Sequence, residues 1–158
     1  MDHIDLKLIS LLQENARYSI KELAEQVFLS APSVSSRIEK LEQAGIITGY
    51  HAEINELKLG YPITAFINLS MEPNQKPVFY PFIASCPNVL ECNCVTGQYS
   101  MLIKVAYPST QELDTFIGRL QEFGNTQTQI VFSTAVKPRG INLTASQDDE
   151  NGGRGRKY

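Results

Sequence analysis

The chain has 158 residues, 42% hydrophobic and 20% charged, which suits one globular domain or two small ones. Its formal net charge is −3, with six Lys/Arg against nine Asp/Glu in residues 1–60, three against five in 61–136 and five against three in 137–158. No block is basic enough to hold phosphate strongly by charge alone, no apolar run is long enough to span a bilayer, and the acidic start "MDHIDLKLIS" lacks the basic segment of a secretory signal, so a cytoplasmic protein without a membrane partner is expected.

The first predicted element lies in "DHIDLKLISLLQENARYS". Ile4, Leu8, Leu11 and Leu12, widened by Leu6 and Ile9, fall at helical spacing; Asp2 or His3 starts the helix and Asn15 lies near its end. "SIKELAEQV" opens with Ser19 and carries Glu22 three residues on, a capping box, with Ile20, Leu23, Ala24 and Val27 as the buried face. After the short "FL" link, Ser30 caps a third helix that tolerates Pro32 in its first turn and buries Val34, Ile38 and Leu41. Gly45 fits a left-handed C-terminal cap. Three short helices, the last two joined by a tight turn, make a helix-turn-helix. "IITGYHAEIN" then reads as a small strand pair or wing, and "ELKLGYP" as a connector.

The second half changes period. Strands are predicted at 62–71, 88–96, 99–107 and 126–136, with helices at 76–86 and 109–123. Pro81 should kink the first of these helices or delay its start, while Ser109 and Glu112 repeat the capping box on the second. Thr96-Gly97-Gln98 marks the hairpin between the middle strands. The order strand-helix-strand-strand-helix-strand is the ferredoxin-like βαββαβ arrangement, so the fold class is α+β. Ile63, Ala65, Ile67, Leu69 and Met71 share one strand face and Phe66 the other; Leu102 and Ala106, Val131 and Ala135 likewise oppose apolar partners. A sheet with water on one side alternates more cleanly, so a second copy is expected to cover the other face as a homodimer.

Cys86, Cys92 and Cys94 are too few and too irregularly spaced for a disulfide framework. Cys92 and Cys94 point to one face of a strand, where buried packing is the ordinary role and a thiol or metal pair the alternative. A metal site would need more ligands, and His3 and His51 are distant in sequence.

The segments "DHIDLKLISLLQENARYSIKELAEQV", "LSAPSVSSRIEKLEQAGIITGY", "VLECNCVTGQYSMLIKV" and "TQTQIVFSTAVK" together resemble the Lrp/AsnC (leucine-responsive, feast/famine) transcriptional regulators over roughly residues 2–138. The resemblance implies a winged helix-turn-helix at 1–50, a linker strand at 51–61 and a ferredoxin-like effector-binding and oligomerisation domain at 62–138, while the polar composition of 139–158, rich in Gly, Asp, Asn and Ser, reads as a disordered tail. It further implies dimers that assemble to tetramers or octamers, and an amino-acid-like effector held between subunits near Thr96, Gly97, Gln98, Tyr99 and Ser100. Two positions depart from the family pattern. Phe28 stands where the tight turn usually carries glycine, so the turn is either strained or reshaped with Phe28 on the core; Ser100 stands where the hairpin usually carries aspartate.

With Val34, Ile38 and Leu41 inward, Pro32, Ser36, Glu39 and Gln43 point outward with Ser33 and Lys40 beside them. Ser33 and Ser36 are short enough for close approach to double-stranded DNA. Arg37 on the flank can make the bidentate guanine contact, about 1–3 kcal/mol of discrimination. Lys40, the N–H groups behind Ser30, Lys21 and Arg17 suit phosphates. Equally, Arg37 can pair with a surface carboxylate such as Glu39 or Glu42, and Ser30 can simply cap. One alternative is a ligand-binding or interaction module without DNA binding. Another is an enzyme like the siroheme decarboxylases, which resemble the same two-part architecture but need histidine or arginine around a cavity. The α/β half offers only Lys76, Lys104 and Arg119 as cations and no histidine, and no catalytic or phosphate-loop motif appears, so neither enzymatic activity nor a cofactor is expected.

Overall fold

The computed structural model describes residues 1–143, so most of the expected tail, residues 144–158, lies outside the described residues. The elements run α1 (His3–Glu14), α2 (Ile20–Val27), α3 (Ala31–Gln43), β1 (Ile63–Met71), α4 (Lys76–Ala84), β2 (Val89–Cys94), β3 (Met101–Tyr107), α5 (Thr110–Gln121) and β4 (Gly124–Ile130). They form two compact units, Met1–Ala52 with the segment from Val136 onward, and Glu53–Ala135.

Each helix of the N-terminal unit begins at a side-chain cap. Asp2 and Asp5 form a capping box on α1, Ser19 and Glu22 another on α2, and Ser30 accepts from the Ser33 amide on α3. The core is Leu8, Leu11, Leu23, Ala24, Val34 and Ile38, all at the positions the apolar spacing selects. At the end of α3, Gly45 takes φ +67, its N–H donating to the Glu42 carbonyl and that of Ile46 to the Leu41 carbonyl, which satisfies carbonyls a helix end leaves free. Residues 46–56 form no strand, so the expected strand pair is replaced by an irregular chain, and the expected linker strand by a coil with a short 3₁₀ turn at Leu57–Leu59. Alternating character alone does not make a strand where no neighbour accepts the ladder. Of the expected tail, residues 139–143 are described; there Gln13 Nε2 donates to the Ile141 carbonyl at 3.4 Å.

The C-terminal unit is a four-stranded antiparallel sheet in the order β2-β3-β1-β4. Ala65, Ile67 and Leu69 of β1 and Met101, Ile103 and Val105 of β3 are fully buried in one cluster with Phe79 and Ile83 of α4 and Leu113, Phe116 and Leu120 of α5. Aromatic pairs tighten it: Phe79 meets Phe123 edge-on at 5.3 Å, and the Arg119 guanidinium lies 4.7 Å over Phe82. Pro81 sits inside α4 without delaying its start, because a 3₁₀ turn at Pro73–Gln75 already leads into the helix.

β4 differs from its expected span. It starts at Gly124 and stops at Ile130, since β1 begins at Ile63 and the Val131 amide makes the last bond, to the Thr64 carbonyl. Gly124 is required: a Cβ there would collide with the Ser70 carbonyl of the paired strand. Val131, Phe132, Ala135 and Val136 therefore do not extend the sheet, and the face turned away from the helices is less apolar than expected. Register places Phe66 between Lys104 and Gln129, and Leu102 between Asn68 and Asn93. Phe66 and Leu102 are only half-buried. A bulge between Val89 and Glu91 bends β2, and the Asn88 side-chain amide clips it to the Ala106 carbonyl at 2.8 Å. No described helix is long and apolar enough to cross a membrane.

Candidate nucleic-acid interface

The turn between α2 and α3 fixes where α3 begins. Phe28 closes α2 in the left-handed region at φ 56, ψ 42, with its N–H donating to the Ala24 carbonyl. The Leu29 amide donates to the same carbonyl at 3.1 Å, and the Leu29 side chain packs on the core. Ser30 then caps α3. The turn is thus strained rather than reshaped, at a cost of about 1–2 kcal/mol for a residue with a Cβ. Phe28 does not pack on the core either: it is 92% exposed.

On α3, Val34, Ile38 and Leu41 are buried, while Ser30, Ala31, Pro32, Ser36 and Lys40 are exposed and Ser33 is half-buried. Lys21 and Arg17 are also exposed, near the start of α2. The expected outward face is therefore present.

Arg37 departs from expectation. Its Nη1 donates to Asp2 Oδ2 at 2.8 Å and to Asp5 Oδ1 at 2.7 Å, tying α3 to the first turn of α1. Those carboxylates are already engaged with each other's backbone: the Asp2 amide donates to Asp5 Oδ2 at 2.8 Å and the Asp5 amide to Asp2 Oδ1 at 3.0 Å. The backbone bonds first, and then Arg37, hold both carboxyls below their ordinary range; Asp5 and then Asp2 push the guanidinium upward. The alternative reading, a pair with a surface carboxylate, describes this geometry, but the partners are 32 and 35 residues away rather than on α3 itself. Glu42 instead accepts from the Tyr50 hydroxyl at 2.8 Å, and burial, with Glu42 assisting, pushes that phenol up to about 12. Sequence reasoning missed Asp2 and Asp5 as partners: Asp2 was legible only as a possible helix start, and nothing in the local pattern signalled Arg37.

At the β2–β3 hairpin, Thr96, Gly97 and Gln98 are exposed and Gly97 takes φ +111. Tyr99 and Ser100 are half-buried and precede β3. Ser100 is engaged with the end of β1. Its hydroxyl accepts from the Met71 amide at 2.9 Å and lies 3.3 and 3.2 Å from the Leu69 and Met71 carbonyls, and its own amide donates to the Leu69 carbonyl at 3.0 Å. Cys94 is exposed with the Lys76 ammonium 3.5 Å from its sulfur, whereas burial pushes the Cys92 thiol up.

A capped helix-turn-helix with an exposed serine- and lysine-bearing face, followed by a separately cored α/β unit, defines a two-part DNA-binding regulator. Comparison with known proteins gives the same division: residues 1–48 match the winged helix-turn-helix DNA-binding family and residues 64–141 the Lrp/AsnC ligand binding domain. The chain belongs to the Lrp/AsnC family of transcriptional regulators. It is 41% identical over 135 residues to the HTH-type transcriptional regulator YezC of Bacillus subtilis, covering 85% of this chain and 96% of that one. To LrpA of the same organism it is 36% identical over 132 residues, 83% and 97% of the two chains. Among solved structures, B. subtilis LrpC superposes with a TM-score of 0.83 at 30% identity over 87% and 99% of the chains. The Neisseria meningitidis regulator NMB0573 in complex with L-Met gives 0.86 at 26% identity over 92% and 99%.

Proposed function

We propose that the N-terminal part of α3 enters the major groove, with Ser33 and Ser36 at the base edges, Lys40 and Lys21 on phosphates, and the N–H groups behind Ser30 supporting a phosphate contact. The observation that carries this reading is the exposure of Ser36 and Lys40 on a helix whose opposite face is buried, within the segment that matches a DNA-binding family. Arg37 is the positioning residue: held by Asp2 and Asp5, it sets the angle of α3 against α1. Fluorescence anisotropy on duplexes selected from genomic fragments tests this. Lys40→Ala should weaken binding to all sequences and reduce the salt slope by about one unit, whereas Ser36→Ala should change the preferred sequence. Arg37→Ala should loosen the N-terminal unit and weaken all sites alike. Selective loss at one base position would instead assign Arg37 to direct guanine contact.

The second half is proposed to join copies and to sense a small molecule. The half-buried Phe66 and Leu102 on the face away from the helices support a homodimer through that face, and two reading heads then compensate for weak individual affinity through effective concentration. Half-sites should lie one or more helical turns apart, roughly 34 Å each. A solution mass of one chain at micromolar concentration rejects the dimer. The relative crystallised with L-Met supports an amino-acid-like effector, and the exposed Thr96-Gly97-Gln98 turn with Tyr99 is the proposed contact. Because the Ser100 hydroxyl is engaged with β1, that contact would run through the turn's backbone. Calorimetry against the twenty amino acids decides: silence across the panel rejects an amino-acid effector.

A further inference from the structure

Phe28 combines two features whose coincidence neither folding nor packing explains. Among the described residues it alone adopts positive φ without being glycine, and its ring is 92% exposed. The left-handed backbone itself has a clear use: it lets Leu29 turn back onto the core and leaves Ser30 placed to cap α3. Glycine meets that need without strain, so the benzyl group adds nothing to the fold. An exposed aromatic held on a strained backbone points to a contact made outside the chain. Its place narrows the partner. It stands two residues before the cap of α3, the helix end that meets base edges in this motif. Both neighbouring bonds to the Ala24 carbonyl hold the backbone from which the side chain projects. The side chains that follow, Ser30, Ala31 and Pro32, are exposed and uncharged, so beside the backbone N–H groups that suit a phosphate this margin also offers an apolar surface to a base edge.

We infer that Phe28 is a specificity residue that lays its ring on a thymine C5-methyl at the flank of the site read by α3. An apolar side chain against that methyl distinguishes thymine from cytosine, which lacks it. The inference rests on the proposed docking of α3 in the major groove and adds a base preference to it.

The test uses the full chain and the duplex it selects best from a random pool. Replacing single thymines by deoxyuridine removes only the methyl. At one thymine per half-site, affinity should fall about fourfold, the effect of one methyl-sized group leaving a buried contact. Phe28→Gly and Phe28→Asn both suit the left-handed turn. Each should keep or raise the thermal midpoint, bind the thymine duplex more weakly, and be indifferent to the deoxyuridine replacement. If wild type selects a sequence and Phe28→Gly selects the same one with equal affinity, the inference is overturned while the reading by α3 stands. If wild type selects nothing, that reading fails first. A changed solution mass in Phe28→Gly with an unchanged deoxyuridine penalty assigns the ring to a contact between copies and also overturns the inference.

Discussion

The two units are held together by different physics. Among the described residues the N-terminal core has six buried members, none larger than leucine, while the C-terminal core has fourteen, including Phe79, Phe116, Tyr107 and Met101. The smaller unit adds directional contacts to its core: two reciprocal capping boxes, the Ser30 cap and the Arg37–Asp2–Asp5 cluster. Apolar burial is not weakened by charge screening or by protonation, whereas exposed ion pairs and charged caps are weakened by both. The helix-turn-helix half is therefore the half whose stability solvent conditions can tune, and the half proposed to join copies is the durable scaffold.

The largest test strikes the scaffold. Phe79→Ala removes a fully buried ring and should lower stability by about 3–5 kcal/mol. Hydrogen exchange should accelerate in β1 and β3 while α2 and α3 keep their protection. Leu23→Ala in the smaller core should cost about 2–3 kcal/mol and do the reverse, exposing α2 and α3 while the sheet stays protected. Acceleration of both units together by either change would show one cooperative block. Next, Ser19→Ala deletes the cap on α2, worth about 1 kcal/mol, and urea titration should show an earlier first transition.

The smallest effect is acid. Asp2, Asp5 and Glu22 are held below their ordinary range, chiefly by backbone hydrogen bonds. Depressed carboxyls contribute stability above their unfolded pKa and lose it as pH falls through the folded values, so the window opens below about pH 4. Thermal melts between pH 5 and 2 should show the N-terminal unit failing first. A sheet that melts before the helices would invert the comparison.

Four of the five described helices were legible because each carries its own punctuation, whereas α4 has no side-chain cap. Ser19 with Glu22, Ser30 and Ser109 sit within one turn of what they cap, and the apolar stripes match the buried residues; the expected second box is only half formed, since Glu112 accepts from the Ser109 hydroxyl rather than its amide. The order of the βαββαβ unit was legible for the same local reasons. What escaped depends on partners distant in sequence. The residues after Ile130 alternate like a strand, yet β1 offers nothing to pair with beyond Thr64. Arg37 has carboxylates on its own helix within reach, yet tertiary packing brings Asp2 and Asp5 closer. The left-handed backbone at Phe28 was legible as a choice between strain and rearrangement, and only coordinates could decide it.

The margins of the sheet carry one further consequence. β2 is bent by its bulge and clipped by Asn88, and β4 lines the opposite border with asparagine, threonine and glutamine. Neither border is a flat apolar rail onto which a stray strand could zip. Crowded copies are steered away from lateral growth into fibrils, which leaves the proposed face-to-face pairing unopposed by competing edge contacts.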